Sequence, residues 1–238
     1  MNAGTLAAQH AQHTIRASLY RLTALAGIAS VVLAAVAFAL FGNAPATDAS
    51  GQAVLTYVAT NRVQVLAFVY LFGLSVALML CFMTGLRALL RDAHQQAEPL
   101  ATLGLVGGVV WVSVGYGILL FILALAFRAG RDPLLARLLA DLGALTANLS
   151  GFPTAVNMTA FGAALLLTGF LPRWVAWLAC VVALAHLVSA AAYAQEGLLS
   201  PSLLPSMVAP LLYYLWVIVV SVILWRRAGT SRGALSPR

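Results

Sequence analysis

Residues 151–178 read GFPTAVNMTAFGAALLLTGFLPRWVAWL, and this stretch decides the fold. From Gly151 to Leu171 it is apolar apart from small hydroxyls and one amide, Asn157. Leu171-Pro172-Arg173-Trp174 then reverses the chain. Proline starts a helix, arginine stays in water and tryptophan suits the headgroup layer. A second apolar run follows at once. Two such runs joined by so short a turn describe a membrane hairpin, since about 20 helical residues cross a hydrocarbon core of ~30 Å.

The composition of the whole chain agrees. Of 238 residues, 63% are hydrophobic and 8% charged, against about 25% charged in a soluble domain, whose surface has to be hydrated. Reading outward gives six spans, at about 19–41, 63–90, 100–127, 151–171, 174–193 and 207–225. The expected fold is all-α, a six-span bundle forming one membrane domain over 19–226. A polar leader, 1–18, precedes it and a basic tail, 227–238, follows; both are expected to be disordered. The first apolar run could be taken for a secretory signal, but it is longer than an h-region of about 7–15 residues. It is therefore read as an uncleaved span.

Two further segments have amphipathic patterns. In 43–62 Asp48 is placed as the cap of a short helix with Val54, Leu55 and Val58 on one side. In 128–150 Asp132-Pro133 starts a helix with Leu134, Leu135, Leu138, Leu142 and Leu145 on one side and Arg137, Asp141 and Asn148 on the other. That helix either lies on the membrane surface or leads into the fourth span. One straight helix from Pro133 to Leu171 would be roughly 58 Å long at ~1.5 Å per residue. A break is therefore expected near Gly151-Phe152-Pro153. Gln195–Ser206 is read as a leucine-rich external loop.

Small residues mark packing faces. Gly73, Ala77, Cys81 and Gly85 recur every four residues in the second span, and Gly104 and Gly108 form a G-x-x-x-G in the third. The Gly104/Gly108 face could pack within the chain or hold a homo-oligomer or a partner membrane protein. Cys81 and Cys180, both in apolar runs, read as packing residues.

Orientation follows from the arginines, since cytoplasmic loops are enriched in positive charge. The chain has 13 arginines and no lysine. Arg16, Arg21, Arg87, Arg91, Arg173, Arg226, Arg227, Arg232 and Arg238 share one side of the six-span arrangement, and Arg62, Arg128, Arg131 and Arg137 the other. Both termini are therefore expected in the cytoplasm, with the amphipathic helices outside. The net charge of +7 then meets anionic lipid headgroups rather than nucleic acid, because the arginines sit at span ends and not on one basic face.

The order of motifs resembles that of an uncharacterised bacterial family, a domain-of-unknown-function group of six-span membrane proteins. The motifs are P-x-x-D-A-S at 45–50, GLRALLR at 85–91, GFP at 151–153, TGFLPRWVAWL at 168–178 and SVILWRR at 221–227. The resemblance implies a bacterial inner membrane and brings with it no activity and no catalytic residue.

Chemistry is sparse. The spans hold no Asp, Glu, Arg or Lys away from their ends, where ion-coupled carriers normally place such groups. No zinc-protease, nucleophile-elbow or phosphate-loop motif is present. Without lysine no retinal or pyridoxal Schiff base can form. A haem held by two side chains would need Met79 or Met158 beside the one intramembrane histidine, or a dimer; no cofactor is expected. Among the remaining polar groups, counting from span centres places Tyr116, Asn157, His186 and Tyr213 or Tyr214 at similar depth, and Thr154 shares a helical stripe with Asn157 on the fourth span. They read either as the floor of an outer cavity for a small hydrophobic or lipid-like ligand, or as hydrogen-bonding glue between helices. The expected function is accordingly non-enzymatic, an accessory subunit or ligand binder, with a permease or lipid-handling protein as the alternative.

Overall fold

The computed structural model describes residues 3–46, 48–127, 132–192 and 204–233. Among them every regular element is helical: α1 (Ala3–Phe41), α2 (Gly51–Thr60), α3 (Arg62–Ala93), α4 (Glu98–Phe127), α5 (Pro133–Leu149), α6 (Gly151–Thr168), α7 (Arg173–Ala190) and α8 (Leu204–Gly233), with one 3-10 turn before α4. Six segments are long and apolar enough to cross a membrane: α1, α3, α4, α5 with α6, α7 and α8. Large apolar side chains such as Leu22, Val32, Leu120, Leu184 and Leu211 point outward, as lipid rather than water requires. The chain is an all-helical, six-span membrane protein.

Each spanning segment packs on the next, α1 on α3, α3 on α4, α4 on α6, α6 on α7 and α7 on α8, and α8 returns to α1. The result is a closed ring. Its centre is filled by Met79, Phe82, Met83, Met158, Phe161, Leu165 and Trp216, all fully buried. Phe82 and Trp216 meet edge to face at 6.2 Å, and the Trp216 indole N–H donates to the Val175 carbonyl at 3.0 Å. Ser30 and Ser75 exchange hydroxyl-to-carbonyl bonds of 2.8 and 2.7 Å between α1 and α3. In lipid, helices associate through close packing and hydrogen bonds of this kind rather than through hydrophobic burial.

The turn between α6 and α7 shows how LPRW works. Gly169 ends α6 in the left-handed region at φ 58°, and Pro172 stands before α7. Phe170 tucks inward, stacked on Tyr20 at 6.1 Å, and Arg227 donates to its carbonyl while its guanidinium lies 5.3 Å over the ring. Trp174 and Trp177 stay exposed. The predicted break in the fourth span falls at Ser150, between α5 and α6. Asp132 caps α5 as expected, accepting from the Leu134 N–H at 2.9 Å.

Several expectations change. The cap of α2 is Ser50, which accepts from the Ala53 N–H at 3.2 Å, and not Asp48. Helix α1 begins at Ala3, ahead of the apolar run, and α8 extends to Gly233 into the basic tail. Residues 234–238, Arg128, Arg131 and most of the leucine-rich loop (193–203) lie outside the described residues. In the second span Ala77 and Cys81 face outward. The inward face is instead Ser75, Val76, Met79, Phe82, Met83 and Leu86. The Gly104/Gly108 face packs within the chain, against Phe161, Met83 and Asn157. A Cβ on Gly104 would crowd the Phe161 ring at 3.0 Å, and one on Gly108 would overlap the Met83 sulfur.

Gly107 marks the least yielding of these contacts, because its neighbours are backbone. A Cβ there would stand 2.9 Å from the Asn157 nitrogen and 3.0 Å from the Pro153 carbonyl oxygen. Gly107→Ala is therefore expected to lower unfolding stability by about 1–3 kcal/mol, the usual cost of overpacking. At Gly117 an added Cβ meets nothing within 4 Å, so Gly117→Ala should be neutral or stabilising by up to about 1 kcal/mol. Unfolding of the two purified variants in mixed micelles checks the pair.

Candidate functional site

The five polar residues do not converge on one cavity. Asn157 is 1% exposed, lodged between α6, α4 and α3. Its amide donates to the Gly104 carbonyl at 2.6 Å and approaches the Met83 sulfur at 3.6 Å. Thr154 turns back on its own helix, donating to the Ser150 carbonyl at 2.7 Å. His186 and Tyr213 do meet, ring centroids 6.0 Å apart, and Trp111 lies 5.3 Å from Tyr213 on its other side. The His186 Nδ1–H donates to Val182 at 2.9 Å within α7. Tyr116 is separate from all of them. It is 43% exposed and donates to the Gly73 carbonyl at 3.2 Å, beside an open outward groove between α3 and α4.

The physical reason for this separation is helix rotation. Similar depth along the membrane normal says nothing about which way a side chain points. Asn157 lies on the α6 face that meets Gly104, Gly107 and Gly108, whereas Tyr116, eight residues beyond Gly108 in the sequence, turns toward α3. Asn157 and Tyr116 bond across helices, while Thr154 and His186 bond within their own.

A different space forms where the amphipathic segments meet the bundle. Helices α2 and α5 pack on each other, with Gly51 so close to the Pro133 backbone that no Cβ would fit. Val54, Leu55 and Val58 face inward as expected, against Val65 of α3, Leu125 of α4 and Ala136 of α5. Beneath them lies a cavity of about 210 Å³, walled mainly by Val54, Val58, Val65, Ile118, Ile122 and Leu125. Its ionisable lining is Tyr57, Arg137 and Asp141. The Tyr57 hydroxyl donates to the Phe41 carbonyl, which ties α2 to the end of α1. Burial raises the phenol above its ordinary pKa, so it remains a protonated donor throughout the neutral range. Arg62 donates to the Ala126 carbonyl at 3.2 Å and joins α3 to the end of α4.

Helix α5 turns most of its leucines away from the bundle. Leu134 is 77% exposed, and Leu135, Leu138, Leu142, Leu145 and Leu149 also point outward. The inward face is mostly small: Ala136 and Gly143 are buried, and Ala140 is partly so, beside one partly buried leucine, Leu139. Gly143 lines the cavity, and a Cβ built on it would meet no atom within 4 Å. Asn148 is buried too, and donates to the Ala192 carbonyl at 2.7 Å. Leucine content marks this helix as membrane-embedded, and the Ala136–Ala140–Gly143 spacing was the available signal for its inner face.

Among the described residues no three His, Cys, Asp or Glu side chains gather as a metal site. His186, Met79 and Met158, the residues a haem would need, line neither the cavity nor the α3/α4 groove. Fold and site together define a six-span helical membrane protein with an apolar cavity under an amphipathic roof. Compared with known protein families, with curated proteins and with solved structures, the chain matches none.

If Asn157 joins helices rather than binding a ligand, Asn157→Ala should lower stability by about 1–2 kcal/mol, the range of such bonds in membranes. The same variant should leave any ligand bound in the α2/α5 cavity unaffected. Unfolding curves together with native mass spectrometry of the purified variant check both parts.

Proposed function

We propose that this protein is a non-enzymatic membrane protein that holds a small hydrophobic or lipid-like ligand in the cavity beneath α2 and α5. One observation carries the reading. Gly143 is buried, yet the space where its side chain would stand is empty and continuous with an apolar cavity. Close-packed interiors do not leave such space by default. The site thus moves from the Asn157/His186 layer to the roofed cavity, while the class of ligand stays as the composition suggested. A non-enzymatic role is supported by the cavity's sparse chemistry, one phenol and one ion pair beside apolar walls.

Passage of a solute is the second reading. The filled centre around Met79, Met83, Phe161 and Trp216 favours retention over passage. A role as an accessory subunit remains compatible with the outward leucines of α5, which would face lipid or a partner protein.

The arginine distribution supports a plasma-membrane protein with both termini in the cytoplasm, and the motif order from Pro45 to Arg227 supports a bacterial inner membrane. The cavity would then open toward the outer leaflet. A reporter fused after Gly130 is expected to read external and one after Arg173 cytoplasmic; the reverse pattern would overturn the orientation.

The cavity reading has its own test. Gly143→Leu puts four carbons into the empty space and removes a helix-interior glycine, which disfavours a helix by about 1 kcal/mol relative to alanine. The variant should fold at least as well as the parent. Native mass spectrometry of protein extracted from membranes should show small lipid adducts on the parent that Gly143→Leu lacks. Identical adduct patterns on both would remove the cavity from consideration.

A further inference from the structure

We infer that the ligand of this cavity is a single-chain carboxylate, its chain under α2 and its head on Arg137; the inference rests on the cavity reading above. Size decides the chain. About 210 Å³ falls below the roughly 300–1,000 Å³ of ordinary ligand pockets. One short alkyl chain fits and the two tails of a phospholipid do not. The walls offer Val54, Val58, Val65, Ile118, Ile122 and Leu125, all matched to methylene groups.

Charge decides the head. Arg137 lines the cavity, and its Nε stands 3.8 Å from Asp141, close enough for an ion pair and too far for a hydrogen bond. Among the described residues the guanidinium makes no hydrogen bond, although it carries five N–H donors in a planar fork. Both side chains are about half exposed, and an i,i+4 pair of that kind contributes little in contact with water. A ligand carboxylate that accepts two N–H bonds from the fork replaces a weak contact with a charge-assisted, bidentate one. A hydroxyl head cannot do so. Asp141 then acts as the internal competitor for the same guanidinium, so its removal should favour the ligand.

The test uses the full chain in phosphatidylcholine nanodiscs, which contain no single-chain detergent, with radiolabelled octanoate and octan-1-ol at pH 7.4 and empty nanodiscs subtracted. Saturable octanoate binding is expected, at least tenfold tighter than octan-1-ol. Arg137→Gln should weaken octanoate at least tenfold and leave octan-1-ol unchanged; Asp141→Asn should tighten octanoate. Gly143→Leu should abolish both. Thermal unfolding of each variant confirms that it is folded. If both probes bind equally, are blocked by Gly143→Leu and ignore Arg137→Gln, the cavity reading stands and the carboxylate inference falls. Octanoate binding that survives Gly143→Leu, or saturable binding of neither probe, overturns both.

Discussion

The close crossing of α4 and α6 is the contact on which the rest of the structure depends. Gly104, Gly107 and Gly108 bring α4 against Phe161, Asn157 and the Pro153 carbonyl, and Asn157 closes the junction with its bond to Gly104. In lipid the gain comes from van der Waals contact between backbones that only small residues allow to approach. Further along, α4 presents Ile118, Ile122 and Leu125, and α5 lines the same space with Leu139, Ala140, Gly143 and Ala144. The missing bulk is at Gly143, where an added Cβ would meet no atom within 4 Å. Tight contact at one end and loose contact at the other are thus two parts of one helix pairing.

The polar groups of the spans fit this view. Each satisfied one bridges two helices or returns to its own backbone: Ser30 to Ser75, Asn157 to Gly104, Trp216 to Val175, Thr154 to Ser150. An amide or hydroxyl in hydrocarbon needs such a partner, because no water is at hand to supply one. The cavity has a different character. Its ionisable lining is Tyr57, Arg137 and Asp141, set among apolar walls. A ligand with one apolar and one charged end would find that combination complementary.

The architecture was legible because its signals are long and redundant. Six apolar runs, the LPRW turn, the Asp132-Pro133 start and the break near Gly151 each follow from hydrophobicity, proline geometry or helix length, and each is present. The candidate site was legible only in part. The inward face of α2 could be read from Val54, Leu55 and Val58, but the rotation of α5 could not. In water the leucines of an amphipathic helix mark its buried side, whereas beside lipid they are equally at home outside. The packed side of α5 is then set by where Ala136, Ala140 and Gly143 permit approach. Depth counting failed for Tyr116, Asn157 and His186 for a related reason: it fixes height and leaves azimuth free.

The ring is closed by the two ends of the chain. Helix α1 packs against α8, with Gly27 against the Ser221 hydroxyl, and Arg227 and Tyr20 both hold Phe170. The α1 face that meets α8 is therefore made well before α8 itself. Chains are synthesised from the N-terminus at about 5–20 residues per second, so α1 waits roughly ten seconds or longer for its second neighbour. During that interval the side of α1 that will meet α8 is exposed to lipid, and the Phe170 turn lacks its arginine clamp. A chain stopped before α8 would leave α1 without this neighbour and the Phe170 turn without its arginine.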